Sequence, residues 1–317
     1  MRMLVTGGAG FIGSTLVDRL LAEHHHVDVV DNLSSGKLAN LADARRQSTG
    51  EFSFHQIDIR DAALQELIER SRPDVVFHLA AQADVRVSVN DPILDAQINV
   101  IGALNVLEGA RRAEAQKIVF ASSGGTIYGE PEVASLPVTE AHALRPGSPY
   151  GVSKRVFTDY LQIYRDLYQL EFTSLALANV YGPRQDPHGE AGVVSIFAGK
   201  LLSGEPCTIF GDGLQTRDFV YVDDVVDAFV RAATRGGGLL FNIGTGIETT
   251  VVDLYRAMAD AAGVSLPADF AAPRAGELDR IALDSSRARL HLEWSPWTDL
   301  PVGARSVIDW TRSVSNA

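Results

Sequence analysis

Leu4-Val5-Thr6-Gly7-Gly8-Ala9-Gly10-Phe11-Ile12-Gly13 decides the architecture of this 317-residue chain. A short apolar run suited to a buried strand enters a glycine-rich turn, and the turn opens an amphipathic stretch from Phe11 to Leu21 that reads as a helix. The glycines fit G-x-G-x-x-G counted from Gly8 and G-x-x-G-x-x-G counted from Gly7. A strand, such a turn and a helix in succession bring backbone and a helix N-terminus up to a pyrophosphate, where larger side chains would stand in the way. The turn predicts a dinucleotide site touched by Gly7, Gly10, Phe11 and Ile12.

Working outward, Val27-Asp28-Val29-Val30-Asp31 reads as a second strand and Phe52 to Ile57 as a third. Val75-Val76-Phe77, Lys117 to Ala121 and Leu170 to Leu177 continue the series. Helical stretches run from Pro92 to Arg112 and from Tyr150 to Tyr168. Alternation of this kind predicts an α/β fold, a Rossmann-type doubly wound parallel sheet. Asp31 stands where a carboxylate accepts hydrogen bonds from an adenosine ribose and repels a 2'-phosphate, favouring NAD over NADP. Alone, it reads better as a plain strand-end turn residue. Asn32 follows it. Asp58-Ile59 offers a carboxylate to the adenine amino group, and His78-Leu79-Ala80-Ala81-Gln82 ends the fourth strand with small residues that admit close backbone. Three strand ends then share the carboxyl edge of the sheet, where open α/β sheets bind ligands.

Past Asn179 the alternation breaks at Gly-Pro, Pro-His-Gly and Gly-Asp-Gly turns, which predicts a smaller C-terminal substrate-binding lobe. Residues 1-178 are expected to form the dinucleotide-binding domain, with 219-246 returning to it, and 179-317 the substrate lobe. The cleft between them is the default ligand site.

The 28 basic and 40 acidic residues leave a net charge of -12, which repels a phosphate backbone and argues against nucleic acid as a partner. Apolar runs fall short of the ~20 residues that span a bilayer. Met1 to Val5 pass straight into the turn without a signal-peptide pattern, so a cytoplasmic protein is expected. Cys207 is the one cysteine, so no internal disulfide or Cys-cluster metal site is expected, and redox chemistry must come from a cofactor. His24-His25-His26 reads as a solvated helix end, and no metal is expected.

Tyr150-Gly151-Val152-Ser153-Lys154 sets a phenol and an ammonium one helical turn apart, with Pro149 at the helix start. A nearby cation favours phenolate and lowers a Tyr pKa from its reference of about 10, which makes a general base. Such spacing usually marks only a packed ring and a solvated charge. Downstream of a dinucleotide turn, and after Ser122-Ser123-Gly124-Gly125-Thr126 at the end of the fifth strand, the catalytic reading is the better one.

Together these residues resemble the extended short-chain dehydrogenase/reductases and, among them, bacterial UDP-glucose 4-epimerase-like members. The likeness continues through Tyr128-Gly129, Asn179 to Pro187, Phe210-Gly211-Asp212-Gly213, Arg217 to Asp224 and Pro273-Arg274-Ala275-Gly276-Glu277. It implies an NAD-dependent isomerase acting on a UDP-hexose, UDP-glucose and UDP-galactose foremost. Tyr150 would take the 4-hydroxyl proton while C4 passes hydride to NAD, and the 4-keto sugar would turn over and receive the hydride on its other face. Lys154 would bind the nicotinamide ribose and keep Tyr150 ionised. The family's Ser or Thr four residues before the Tyr-Gly pair is Gly124 here, so Ser123 is the expected catalytic hydroxyl and Thr126 the reserve.

The resemblance further assigns Asn179 to the diphosphate, with Val193 and Val194 in a loop beside it. Thr208, Ile209 and Phe210 would flank uracil, Arg217 and Arg274 would neutralise the diphosphate, and Glu277 would hold the nucleotide ribose. Arg86, after the fourth strand, is either a helix-edge charge or a fork for a sugar carboxylate, which keeps UDP-glucuronate 4-epimerase as the second reading. A 4,6-dehydratase would need an Asp-Glu pair where Gly124-Gly125 stand. A non-catalytic nucleotide sensor would have no use for Tyr150 and Lys154. In related proteins the 92–112 and 150–168 helices pair with their counterparts, so a homodimer is expected.

Overall fold

The computed structural model describes residues 1–47, 51–187, 192–274 and 278–315. Strands β1 (Arg2–Thr6), β2 (His26–Val30), β3 (Phe52–His55), β4 (Val75–His78), β5 (Lys117–Ser123) and β6 (Glu171–Leu177) alternate with helices, and β7 (Asn179–Tyr181) follows. Beyond these lie β8 (Thr208–Phe210), β9 (Thr216–Arg217), β10 (Phe219–Tyr221), β11 (Leu239–Ile243), β12 (Thr249–Thr250) and β13 (Asp269–Ala271). One seven-stranded sheet runs β11-β6-β5-β4-β1-β2-β3 with every pairing parallel. The order reverses between β1 and β4, and the crevice at that reversal is where such sheets bind ligands.

Parallel strands buried on both faces carry apolar residues at successive positions, one set per face. Met3, Val5, Phe77 and Val119 face one core, while Leu4, Val76, Ile118 and Phe120 face the other. The first core is covered by α1 (Phe11–Ala22) and α2 (Ala42–Gln47), and the second by α3 (Ala63–Ser71). After β4 come the short α4 (Val85–Asn90) and α5 (Pro92–Ala96), then α6 (Ala103–Arg112). A single turn, α7 (Gly124–Ile127), follows β5, and α8 (Pro149–Tyr168) precedes β6. α3, α6 and α8 bury Leu67, Ile68, Val106, Leu107, Phe157 and Leu161 in the second core.

The stretch expected as one helix from Pro92 to Arg112 is helical throughout but is widened by a π-helical segment over Gln97–Gly102. Gly102 permits close packing there, since a Cβ would stand 2.8 Å from Ile59 Cγ1. Such widened turns commonly mark functional sites. The third strand, expected to reach Ile57, ends at His55.

After β7 the chain builds α9 (Val193–Ser203), α10 (Val222–Ala232), α11 (Val251–Ala262), α12 (Ser286–His291) and α13 (Leu300–Ser315). α9, α11 and α13 pack together beside three two-stranded sheets, β10-β7, β12-β9 and β13-β8. α10 returns to lie against α1, and β11 closes the large sheet. Among the described residues no helix is long and apolar enough to cross a membrane.

Candidate active site

At the crevice, Gly7 takes φ +72°, and a Cβ there would stand 2.7 Å from Ala80 N, so the Leu79-Ala80 backbone runs directly against the turn. Gly7 N donates to Val30 O at 2.8 Å. A Cβ on Gly13 would lie 2.1 Å from Gly7 O. Gly10 precedes α1 with no side-chain cap, and the first turn holds no acid. The opening N–H groups, including those of Phe11 and Ile12, have no acceptor within the helix and suit an anion.

Asp31, just past β2, accepts Ala9 N at 3.0 Å and Leu33 N at 2.8 Å. Burial pushes its carboxyl above the ordinary value, against those two N–H bonds that favour the charged form. Ribose hydroxyls donating to it would favour the charge further. Gly36 leaves the approach open, because a Cβ would crowd both carboxylate oxygens at 2.9 Å. These features fit a dinucleotide carrying a free ribose 2'-hydroxyl, and hence NAD.

Asn32 and Asp58 are brought together from two strand ends, Asn32 Nδ2 donating to Asp58 Oδ2 at 2.8 Å. Arg60 adds its backbone N at 2.9 Å, Nε at 2.9 Å and Nη2 at 2.8 Å, and holds the Asp58 carboxyl far below the usual range. A carboxylate has about four acceptor sites. Four donors of its own chain, Asn32 Nδ2 and the N, Nε and Nη2 of Arg60, converge on Asp58, the carboxylate expected to meet an adenine amino group. Ile59 beside it is buried against the π-helical segment.

α8 starts at Pro149 because Ser148 caps it, its Oγ accepting Gly151 N at 3.2 Å. Tyr150 and Lys154 in its first turns are both buried. Lys154 Nζ donates to Ala121 O at 2.9 Å and lies 4.8 Å from the Phe120 ring centre and 5.6 Å from that of Tyr150. Beneath it, His78 bonds Thr6 through Nδ1 at 2.7 Å and packs on Phe120 and Phe157. Burial first, and the Lys154 charge second, push His78 down to about 3. The imidazole is neutral at physiological pH and adds no second cation.

Ser123 ends β5, and Thr126 sits one helical turn on. Thr126 O would lie 2.7 Å from a Cβ on Gly151, so that turn abuts the residue following Tyr150. Gly124 has a packing reason: a Cβ there would meet Leu283 Cδ1 at 2.3 Å.

In the second lobe, the Arg274 guanidinium lies 3.8 Å over the Phe210 ring, joining two expected substrate residues, and Thr208 begins the same strand. Asn179 N donates to Asp218 O at 2.9 Å, which sets Asn179 beside Arg217, whose Nη1 donates to Thr216 O at 2.7 Å. Val193 and Val194, expected in a loop, form the first turn of α9, with Val194 buried in the core and Val193 partly buried against it. Glu277 lies outside the described residues. Arg86 is 70% exposed and forks onto Asp84, with Nη2 to Oδ2 at 2.8 Å and Nε to Oδ1 at 3.2 Å.

Sequence reasoning missed Asp218. Buried between Arg217 and Phe219, it accepts Thr245 N at 2.8 Å, Thr245 Oγ1 at 2.6 Å, Gly246 N at 3.0 Å and Leu283 N at 3.1 Å. It ties the turn after β11 to the strand end carrying Arg217. An acid inside an otherwise recognised motif was the only signal. Also missed were two ion pairs linking the halves, Lys37 to Asp186 at 2.6 Å and Arg184 to Asp18 at 2.7 Å.

Residues 3–244 match the family model for the NAD dependent epimerase/dehydratase family. The UDP-glucose 4-epimerase of Mycolicibacterium smegmatis is 50% identical over 316 residues, covering 99% of this chain and 100% of that protein. The structure of UDP-glucose 4-epimerase from Thermotoga maritima with UDP-glucose matches with a TM-score of 0.95 and 43% identity, covering 99% of this chain and 100% of that one. The Thermus thermophilus UDP-glucose 4-epimerase in complex with NAD matches at 0.91 and 43%, over 98% and 99% of the two chains. The glycine turn, Asp31 and the Tyr150–Lys154 pair gather at one sheet edge of an enzyme, and the chain belongs to the NAD dependent epimerase/dehydratase family.

Proposed function

We propose that this enzyme is an NAD-dependent UDP-hexose 4-epimerase that interconverts UDP-glucose and UDP-galactose through a transient 4-keto sugar. The observation that carries the reading is the Lys154 ammonium fixed between Ala121 O and the Tyr150 ring, beside the turn that fits NAD. When bound, NAD supplies a hydride acceptor at C4 that returns the hydride to either face. Tyr150 takes the proton of the sugar 4-hydroxyl and gives it back after the keto sugar has turned. Lys154 favours the phenolate by its charge. Ser123 relays or orients that proton, with Thr126 the alternative.

In this reading Gly7, Gly10, Phe11 and Ile12 hold the pyrophosphate of NAD, Asp31 the adenosine ribose, and Asn32, Asp58 and Ile59 frame the adenine end. Leu79, Ala80 and Ala81 line the nicotinamide side. Asn179, Arg217, Arg274 and the first turn of α9 hold the UDP diphosphate, and Thr208 and Phe210 flank uracil. Residues 1-178 with 219-246 serve the cofactor, and 179-317 mainly the sugar nucleotide. A homodimer through α8 and the 92–112 helices, and a cytoplasmic setting, complete the proposal.

Incubation of the purified enzyme with UDP-glucose and, separately, UDP-glucuronate, followed by proton NMR, tests the substrate. Formation of UDP-galactose is the expected result. Conversion of UDP-glucuronate alone would move the specificity to the acid sugar, a reading disfavoured by the Asp84 carboxylate already seated in the Arg86 fork. No conversion of either with NAD supplied would overturn the assignment.

A further inference from the structure

The Tyr150–Lys154 turn of α8 is attached to the rest of the site through a residue that the reaction itself does not use. Asp95, on α5, is fully buried. Its Oδ2 accepts Ser153 Oγ at 2.6 Å, and Ser153 is the immediate neighbour of Lys154. Its Oδ1 accepts Asn99 Nδ2 at 2.9 Å, from the π-helical segment, and Gln82 Nε2 at 3.0 Å, from the loop after β4. Asn99 in turn clasps the Gln82 backbone, Oδ1 accepting Gln82 N at 2.9 Å and Nδ2 donating to Gln82 O at 2.7 Å. Gln82 lies two residues beyond Ala80, whose backbone runs beside Gly7.

One carboxyl group therefore joins three elements: the helix bearing Tyr150 and Lys154, the widened turn, and the loop lining the dinucleotide crevice. Buried polar networks with every partner in place rigidify what they connect. Tyr150, at the start of α8, and Lys154 can be displaced by rotation of that helix about its axis, and Ser153 is where Asp95 grips it. A displacement of about 1 Å at reacting groups can cost on the order of a hundredfold in rate.

We propose that Asp95 is a positioning residue for the epimerisation, acting through Ser153 to fix Lys154 and Tyr150 against the crevice loop. This rests on the UDP-hexose epimerase reading for its kinetic readout only. A second readout is independent of turnover: ionisation of the Tyr150 phenol, followed as ultraviolet phenolate absorbance against a Tyr150→Phe control. That ionisation reports where the Lys154 ammonium stands. Lys154 on α8 stands 5.6 Å from the centre of the Tyr150 ring, and His78 on β4, whose protonation the Lys154 charge opposes, is neutral.

The experiment compares Asp95→Asn, Ser153→Ala and the double variant as NAD-loaded enzymes. Each single change is expected to lower kcat on UDP-glucose by about tenfold to a hundredfold. KM should stay within about twofold, the phenol should ionise at higher pH, and the double variant should be no worse than the poorer single one. Ser153→Ala leaves the buried carboxyl two of its three partners, so it keeps the test open should Asp95→Asn fail to fold. A fall in Tm with unchanged kcat and unchanged phenol ionisation would overturn the proposal. If the unaltered enzyme does not turn over UDP-glucose, the epimerase reading fails, and the phenol titration alone then decides for or against Asp95.

Discussion

Lys154 reaches back from α8 to the carbonyl of Ala121 on β5, at 2.9 Å, while its ammonium stays 5.6 Å from the centre of the Tyr150 ring. A helix and a strand are thereby locked together beside Tyr150, the proposed base. Tyr150→Phe keeps the ring and removes the base, so kcat should fall about 10²- to 10⁴-fold with the fold intact. Lys154→Met should lower kcat and also loosen bound NAD, read as nucleotide lost on gel filtration. Retention of kcat by Tyr150→Phe would remove it from the chemistry.

The catalytic hydroxyl divides two neighbouring residues. Ser123 closes β5, and Thr126 lies in the following turn against Gly151. Ser123→Ala should reduce kcat by roughly tenfold to a thousandfold, and Thr126→Val by much less. The reverse order would transfer the role to Thr126.

The fold was legible because its signals are local. Gly7 to Gly13, the run Val75-Val76-Phe77 and the Tyr150–Lys154 spacing each report backbone geometry within one or two turns. The π-helical segment was not legible, since nothing in Gln97–Gly102 differs in pattern from an ordinary helix; it follows from Gly102 pressing on Ile59 and Asn99 clasping Gln82. The local partners of two expected site residues were not legible either: Arg60 bonds Asp58 and Asp84 bonds Arg86, each across two residues of chain. The loop expected at Val193 became a helix start because Val194 packs into the core. Asp95 and Asp218 were overlooked because burial of a carboxylate depends on contacts far along the chain.

His78 contributes to acid sensitivity of the fold. Its folded pKa, about 3, lies below the ordinary 6.5, so the folded state binds fewer protons than the unfolded one. Its contribution is complete above about pH 6.5 and is lost progressively as pH falls toward 3, at up to ~1.4 kcal/mol per pH unit. Denaturant titrations at pH 7 and pH 5 should show this loss in the parent, with a shallower dependence in His78→Asn. Equal slopes in the two proteins would assign the acid loss to other groups.

Stacking of Arg274 on Phe210 at 3.8 Å prepositions a cation at the rim of the second lobe. An exposed cation–π contact contributes about 0.5–1 kcal/mol, and a hydrogen bond to a charged phosphate about 1.5–3 kcal/mol. Arg274→Ala should therefore raise KM for UDP-glucose by roughly tenfold to a hundredfold while kcat changes little. Phe210→Ala should raise it less. A fall in kcat at unchanged KM would place Arg274 in the chemical step instead.

The outer faces of α8 and the 92–112 helices are apolar where a lone chain would gain nothing from it: Ile93 is 70% exposed, Ile163 51% and Leu167 66%. Isolated apolar residues on a surface need no explanation, but a face shared by adjacent helices marks an interaction site. A second copy is the occupant expected from the homodimer proposal. Ile163→Asp with Leu167→Asp would place carboxylates in that interface and should convert the dimer to a monomer, read as a halved mass by light scattering at micromolar protein. Because α8 also carries Tyr150 and Lys154, the monomer should show a lower kcat as well as a lower Tm. An unchanged mass in the double variant would move the dimer contact elsewhere, and a monomeric parent would remove it altogether.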